Sequence, residues 1–162
     1  MEMHSLPRGA LRAHADLHGS ALYPAIRGKV HIYDAPGGSI IEVYATDLPL
    51  YRPAPPGGQP RGPFGFHIHS MPSCLPMGGT DPFTDAGSHY NPDNELHGDH
   101  AGDLPVFWAP GGQGWMSVYT PRFTPLQVVG RTVMVHENPD DYRTQPAGNS
   151  GMRIACGTIE RI

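Results

Sequence analysis

The sequence predicts an all-β domain, and three features of its 162 residues lead to that fold class. Short runs of apolar and β-branched residues alternate with polar ones, as they do in strands. The 21 Gly and 19 Pro residues stand between these runs, where turns are needed. No segment shows a convincing amphipathic helix pattern. With this many short strands, a β-sandwich or barrel is the expected architecture.

The first strands form a predicted hairpin. Residues 26–33 and 39–46 alternate apolar and polar side chains on either side of a Pro36-Gly37-Gly38 turn. Residues 1–25 are only weakly patterned, so we expect an N-terminal arm there. Since the chain length fits one domain, residues 26–162 are predicted to form it.

Further strands are predicted towards the C-terminus. Apolar alternation indicates single strands over residues 64–69, 131–136 and 152–159. Residues 106–108 and 115–119 flank a Gly-rich stretch and predict a second hairpin.

Two long polar segments interrupt these strands, over residues 71–104 and 137–151. Loops of this length are uncommon inside a compact domain, and they are usually functional or tied down. We therefore expect the first segment, residues 71–104, to be functional or tied down.

Charge and hydropathy exclude several classes of partner. The net charge of −4 argues against a nucleic-acid-binding protein, which would show a basic face. No apolar run approaches the 18 or so residues that a membrane helix needs. The first 26 residues include Glu2, Asp16 and three histidines without an apolar core, unlike a signal peptide. We expect a cytoplasmic protein, or one whose leader has been removed.

Ten histidines are the most informative part of the composition. His67 and His69 are two residues apart on a predicted strand, so both side chains leave the same face. Two neutral imidazoles placed in this way could clamp copper or zinc, although such a pair alone is more often a solvated polar face. His31, a lone strand histidine, is expected to be structural or exposed.

A second cluster is denser and lies on the first long loop. Gly98 and Gly102 allow the backbone to fold tightly, so that several donors could face one point. Four nitrogen or oxygen donors of this kind are the number that zinc prefers. Asp99 lies within the run, but we expect its carboxylate to be solvated. The candidate donors are His89, His97, His100 and Asp103.

His136 ends the predicted strand 131–136, and Asp140 and Asp141 follow it in the second loop. A strand histidine after apolar residues is ambiguous on its own. Carboxylates commonly bond the outer nitrogen of an imidazole that binds a metal, so an aspartate here is a candidate for that role.

Cys74 and Cys156 are the only two cysteines. They could be two unrelated buried thiols, or they could form a disulfide that pins the first long loop to the last strand. A disulfide would be exceptional if the protein is cytoplasmic. A zinc site made by the pair is disfavoured, because neither cysteine belongs to a C-x-x-C motif.

Taken in order, these motifs resemble the copper/zinc superoxide dismutase family in its bacterial form with a short zinc loop. The resemblance extends from about residue 26 to the C-terminus. Five segments carry it: Gly65-Phe-His-Ile-His-Ser-Met-Pro-Ser-Cys74, Gly87-Ser-His-Tyr-Asn-Pro92, His100-Ala-Gly-Asp-Leu-Pro105, Val129-Gly-Arg-Thr-Val-Met-Val-His-Glu-Asn-Pro-Asp-Asp141 and Gly148-Asn-Ser-Gly-Met-Arg-Ile-Ala-Cys-Gly157.

The resemblance implies a role for each matching residue. It implies an antiparallel Greek-key sandwich or flattened barrel of about eight strands with two long functional loops. Asp140 would link ligands of the two metals from outside, Arg153 would stand above the copper, and Cys74 and Cys156 would form a disulfide. The implied copper ligands are His67, His69, His89 and His136. The implied zinc ligands are His89, His97, His100 and Asp103, with His89 shared by both metals.

The implied function is disproportionation of superoxide to dioxygen and hydrogen peroxide, with copper as the redox metal and zinc beside it. Arg153 and His89 would act on the substrate and its protons. Pairing of two copies is a further expectation, and the sequence does not define the face through which they would pair. Three alternatives stay open: a copper-only or zinc-poor dismutase, a non-enzymatic copper-binding domain of the same fold, and a zinc hydrolase.

Overall fold

The computed structural model describes residues 7–76 and 81–162, and within them it confirms the all-β class. Eight antiparallel strands form one curled sheet, with two 3₁₀ turns at Thr84–Ala86 and Pro125–Gln127. No helix among the described residues has the length and apolar character needed to cross a membrane. The strands are β1 (Leu11–Gly19), β2 (Arg27–Ala35), β3 (Gly38–Thr46), β4 (Phe66–His69), β5 (Gly114–Thr120), β6 (Thr132–His136), β7 (Arg153–Thr158) and β8 (Glu160–Arg161).

The order of strands across the sheet is β4, β6, β7, β1, β2, β3 and β5, and β8 pairs with β1. The predicted first hairpin is confirmed as β2 and β3, which pair from Arg27 with Thr46 to Ala35 with Gly38. Gly37 takes a φ of +74° in the two-residue turn, a conformation that favours glycine. The predicted strands around β4, β6 and β7 are likewise present.

The core fills the inside of the curl. Val30 and Ile32 of β2 pack there with Ile41 and Val43 of β3, in the alternation that a half-buried strand requires. β4 and β6 are buried on both faces, because the long loops cover the face that points away from the core. Buried polar residues on that outer face of β4 are therefore enclosed by loops.

The N-terminal prediction was wrong for residues 11–19. They form β1, which lies between β2 and β7 in the sheet instead of forming an arm. Its inward positions are Ala13, Ala15 and Leu17, and all three are buried. The period of two is regular, but two of its three apolar positions are alanines, so the hydrophobic signal is weak.

The second predicted hairpin was also wrong. Residues 106–108 do not pair with β5, which instead joins the sheet edge beside β3. Phe107 makes an isolated bridge to Phe64, with both backbone hydrogen bonds formed at 2.8 and 2.9 Å. The Phe107 ring is fully buried beside Phe66, with ring centroids 6.2 Å apart. Burial of this ring outweighs pairing with the next strand along the chain.

Cys74 and Cys156 form a disulfide, with 5.7 Å between their Cα atoms. It ties the segment that follows β4 to β7, and it closes a loop with a sequence separation of 82. The segment between them contains five of the candidate ligands: His89, His97, His100, Asp103 and His136. The disulfide implied by the resemblance is thereby confirmed.

Replacing both cysteines with alanine should lower the free energy of unfolding by about 4 to 5 kcal/mol, since the unfolded chain regains the entropy that the closed loop removes. Urea denaturation of metal-free wild-type and double-variant protein measures this difference. Added reductant should destabilise the wild type and leave the double variant unchanged. Equal unfolding free energies would contradict the expected role.

Candidate metal centre

Strand β4 places two histidines outside the core. Phe66 and Ile68 belong to the apolar core, so the alternation of a strand directs His67 and His69 to the opposite face. Pairing with β6 brings the end of that strand, and with it His136, to the same side. The first long loop returns over these strands through isolated bridges from His69 to His89 and from His67 to Asp103.

Two groups of donors form on this face. In each group, one possible ligand atom from every residue lies within 4.8 Å of the others, and all members are buried. His89 belongs to both groups, so it stands between them. The first group is His67, His69, His89 and His136, and the second is His89, His97, His100 and Asp103.

Asp103 is the point on which the second group converges. Its Oδ1 lies 2.8 Å from His89 Nδ1 and 3.4 Å from His100 Nδ1, and its Oδ2 lies 3.2 Å from His97 Nδ1. The backbone N–H groups of Gly98 and His100 donate to Oδ2 at 2.8 and 3.1 Å. The carboxylate therefore holds the loop in shape and also faces all three imidazoles.

In four histidines, the ring nitrogen that points away from the donor group lies beside a hydrogen-bond acceptor. That acceptor fixes the tautomer of the histidine. Asp140 accepts from Nε2 of His67 at 2.6 Å and from Nε2 of His97 at 2.8 Å. The carbonyl of Gly87 lies 2.8 Å from Nδ1 of His69, and that of Gly151 lies 3.2 Å from Nδ1 of His136. Carbonyls and carboxylates accept only, so these four nitrogens carry the protons and the opposite nitrogens present lone pairs.

The inner nitrogens lack the partners that buried polar atoms require. Nδ1 of His67, Nε2 of His89, Nδ1 of His97 and Nδ1 of His100 are buried without a hydrogen-bond partner among the described residues. Nε2 of His69 and Nε2 of His136 lie 3.2 Å apart, and the tautomers above make this a contact between two lone pairs. A cation satisfies all of these atoms, since each has a lone pair to donate.

Burial favours the neutral form of His67, His69, His89 and His136, which is the form that binds a metal. It lowers the pKa of His67 and of His69 well below the usual value, and the neighbouring imidazoles add to the effect. Burial also lowers the pKa of His136 to about 3. For Asp103 burial alone would raise the pKa, but the hydrogen bonds from His89 and Gly98 outweigh it and lower the pKa.

The two donor sets differ in chemistry. Four imidazole nitrogens suit copper, whereas three nitrogens and one carboxylate oxygen make a closed four-donor set of the kind that holds structural zinc. The residues present therefore fit one copper and one zinc on either side of His89.

Comparison with known proteins agrees with this centre. The family described as copper/zinc superoxide dismutase matches residues 26–159. The chain belongs to this family. As a member it is an oxidoreductase, and the predicted family, activity and pair of metals are confirmed.

Relatives support the same assignment over most of the chain. The Cu-Zn superoxide dismutase of Deinococcus radiodurans is 36% identical in an alignment that covers 72% of this chain and 78% of that protein. The one from Brucella abortus is 37% identical over 82% of this chain and 78% of its own. A solved Cu/Zn superoxide dismutase from Brucella abortus superposes with a TM-score of 0.73 at 32% identity, covering 91% of this chain and 99% of that one.

Arg153 lies close to the first donor group, His67, His69, His89 and His136, hereafter the copper group. Its Nη1 donates to the carbonyl of Phe83 at 2.6 Å and its Nη2 to that of Gly87 at 3.0 Å. Arg153 and His136 line the same surface cavity of about 310 Å³. The guanidinium is half-buried and burial lowers its pKa, but an arginine stays charged.

The structure also places the remaining residues singled out in the sequence. Asp99 is 78% exposed, as expected of a solvated residue. Asp141 is partly buried, and its carboxylate accepts from the backbone of Arg143 and Thr144 and from the Thr144 hydroxyl. His31 lies on β2 beside Tyr33 and belongs to neither donor group. Asp140, by contrast, touches one histidine of each group.

Several residues that shape the centre were not predicted from the sequence. The Gly87 and Gly151 contributions are backbone carbonyls, which no side-chain pattern reveals. Gln145 accepts from the His97 N–H at 2.7 Å and donates to the His97 carbonyl at 3.2 Å. Arg122 donates to the carbonyls of His100 and Gly98 in the first long loop. Both side chains come from distant segments, and only the fold brings them to this loop.

Asp140→Asn should weaken binding of both metals by about 10- to 100-fold. An amide offers one acceptor where the carboxylate offers two, so either His67 or His97 must face an N–H group instead. Metal titration with a competing chelator measures each affinity. Asp141→Asn makes the same chemical change on the adjacent residue, which belongs to neither donor group, and it should leave both affinities near the wild-type values. Unchanged affinities in Asp140→Asn would remove the positioning role of this residue.

Proposed function

We propose that the chain disproportionates superoxide at the group formed by His67, His69, His89 and His136, converting two superoxide anions and two protons to dioxygen and hydrogen peroxide. The observation that carries the proposal is His89, a member of two complete donor groups that share no other residue. Bound copper supplies a redox couple that zinc, which has no redox chemistry, does not.

Arg153 binds the anionic substrate in this proposal. Two of its donors are held by the carbonyls of Phe83 and Gly87, which fixes the plane of the guanidinium. The guanidinium has five N–H donors, so others are left to meet superoxide through charge-assisted hydrogen bonds. The carbonyl of Gly87 also accepts from His69, so the same loop residue positions a ligand and the anion-binding side chain.

His89 handles a proton at Nε2 in this proposal. Its Nδ1 faces Asp103 in the zinc group and its Nε2 faces the copper group without a hydrogen-bond partner. With a cation on either side, loss of both ring protons becomes accessible. Nε2 would be the atom of His89 that holds a proton and gives it up to the departing peroxide.

The alternatives have less support from the same residues. A copper-only enzyme would lack a zinc donor, but all four donors lie close together. A non-enzymatic copper-binding domain would not need Arg153 beside the cavity that His136 lines. A zinc hydrolase would need an open coordination position and a base beside it. Within the described residues, no glutamate belongs to either donor group.

Pairing of two copies and a cytoplasmic location stay predictions. The disulfide bears on the second of these, because such bonds persist in oxidising compartments and are rare in the cytosol.

His136→Ala should lower the rate of superoxide consumption by more than about 100-fold. Losing only the hydrogen-bond partner of a metal ligand already costs up to about 100-fold. The change removes one of four copper donors. Superoxide decay is followed with protein loaded with both metals, and metal content is measured on the same samples. His31→Ala, on a strand histidine outside both groups, should retain wild-type activity. Equal activity in His136→Ala and wild type would refute the copper assignment.

Charge at the opening sets how fast superoxide arrives. Arg153 and Asp81 are the two charged side chains among the described residues that line this cavity, so the cation is opposed by an anion. Asp81→Asn should raise the second-order rate constant by about twofold, since two unit charges about 10 Å apart in water interact by about 0.4 kcal/mol. Added salt should slow the wild type only modestly and Asp81→Asn more steeply.

Glu160→Gln is the matched control for this prediction, because Glu160 lines a different cavity beside His14 and His18. It removes the same charge and should change the rate less than Asp81→Asn does. Pulse generation of superoxide at several salt concentrations measures all three proteins. A rate constant for Asp81→Asn at or below that of the wild type would count against the proposed opening.

A further inference from the structure

Arg122 makes an unusual set of contacts with the zinc loop, defined here as residues 97–103. It follows β5, and its Nη1 donates to the carbonyls of His100 at 2.9 Å and Asp103 at 3.5 Å. Its Nη2 donates to the carbonyl of Gly98 at 3.0 Å. One guanidinium therefore reaches three carbonyls within six consecutive residues of the loop.

These contacts act on the outer side of a loop whose inner side is already fixed. The Asp103 carboxylate accepts from the backbone of Gly98 and His100 inside the loop. Gly98 adopts a φ of +97°, and a Cβ at this position would overlap the carbonyl of Tyr142. The loop is thus a tight turn whose carbonyls point outward, and the Arg122 guanidinium donates hydrogen bonds to three of them.

Zinc binding depends on this turn more than copper binding does. His97, His100 and Asp103 all come from the zinc loop, with only two residues between the two histidines. The copper group takes no residue from it, because His89 precedes the loop. A force that shapes the loop therefore acts on three of four zinc donors and on none of the copper donors directly.

An ion pair does not account for the position of Arg122. Its carboxylate neighbour at the loop is Asp99, at 3.4 Å, and that side chain is 78% exposed. Exposed pairs of this kind contribute little. The Arg122 side chain is itself only 35% exposed, and its shortest contacts are with backbone carbonyls. A planar fork of donors suits several carbonyls at once, and a lysine ammonium lacks that geometry.

We propose that Arg122 is a positioning residue for zinc: it holds the carbonyls of Gly98, His100 and Asp103, and thereby sets the three zinc donors of the loop before the metal arrives. The inference rests on the zinc assignment made above. It identifies a residue outside the ligand motifs that determines affinity for one of the two metals and leaves the other unaffected.

Zinc affinity of copper-loaded protein, measured by competition with a chromophoric chelator, tests the proposal. Arg122→Gln should weaken zinc about tenfold or more, in the range seen when a ligand loses its supporting partner, and Arg122→Lys should fall between it and the wild type. Copper affinity should stay within about twofold of wild type in both variants, because they leave the copper donors intact. Cobalt(II) placed in the zinc group should show altered visible bands in Arg122→Gln, since its geometry would change.

Arg27→Gln is the matched control. The Arg27 guanidinium also donates to two backbone carbonyls, those of Pro24 and Ile26, but at the start of β2 and away from the zinc loop. It should leave zinc affinity within about twofold of the wild type. Thermal unfolding of the metal-free proteins checks that each variant folds. If Arg122→Gln does not fold, Arg122→Lys, which retains the positive charge, replaces it in the comparison.

Three results would overturn the inference, and each has a different meaning. Zinc bound with equal affinity by wild type and both Arg122 variants removes the role of Arg122 and leaves the zinc assignment standing. Wild-type protein that takes up no zinc in this group overturns the zinc assignment, and the role of Arg122 is lost with it. Equal weakening of copper and zinc would also count against it, because the effect would then be a general loss of structure.

Discussion

The metal centre depends on one buried carboxylate, that of Asp140. It accepts a hydrogen bond from His67 on strand β4 and another from His97 on the zinc loop, at 2.6 and 2.8 Å. A buried charge without such partners would be costly, and a buried imidazole without an acceptor would be free to change tautomer or turn. Because Asp140 satisfies both rings, it fixes which nitrogen of each faces inward. This single residue on the second long loop therefore orients one histidine of each donor group.

The fold supplies what this carboxylate needs. β4 and β6 direct apolar side chains to the core and histidines to the other face, so the ligands begin from rigid strands. The loops then cover that face, and the disulfide between Cys74 and Cys156 ties the first of them to β7. Gly148 lets the second loop approach closely, since a Cβ there would overlap the Asp140 carboxylate. Rigid strands and tethered loops together give the imidazoles little freedom when no metal is bound.

The ligand side chains could be predicted from the sequence because their chemistry is local: His67 and His69 share a strand face, and His97, His100 and Asp103 share one short turn. The arm expected over residues 1–25 shows the limit, since the alanines of β1 carry little hydrophobic signal although the strand lies between β2 and β7. The contacts of Arg122 were beyond prediction for another reason. They join its guanidinium to backbone carbonyls 19 to 24 residues away, and sequence pattern encodes neither the acceptors nor the approach.

Attraction of an anion to a protein with a net charge of −4 requires the charges to be distributed unevenly. Among the described residues, Asp103 and Asp140 are the two carboxylates buried within the centre, and burial favours the neutral form of His67 and His69. Two bound dications would carry four positive charges, whereas the two carboxylates and a doubly deprotonated His89 would carry three negative charges. The centre would then have an excess of one positive charge, and Arg153 adds another at the cavity. The low dielectric of the buried site leaves this excess poorly screened. The acidic surface keeps the overall charge negative, while the centre beneath the opening stays positive, where an anion must bind.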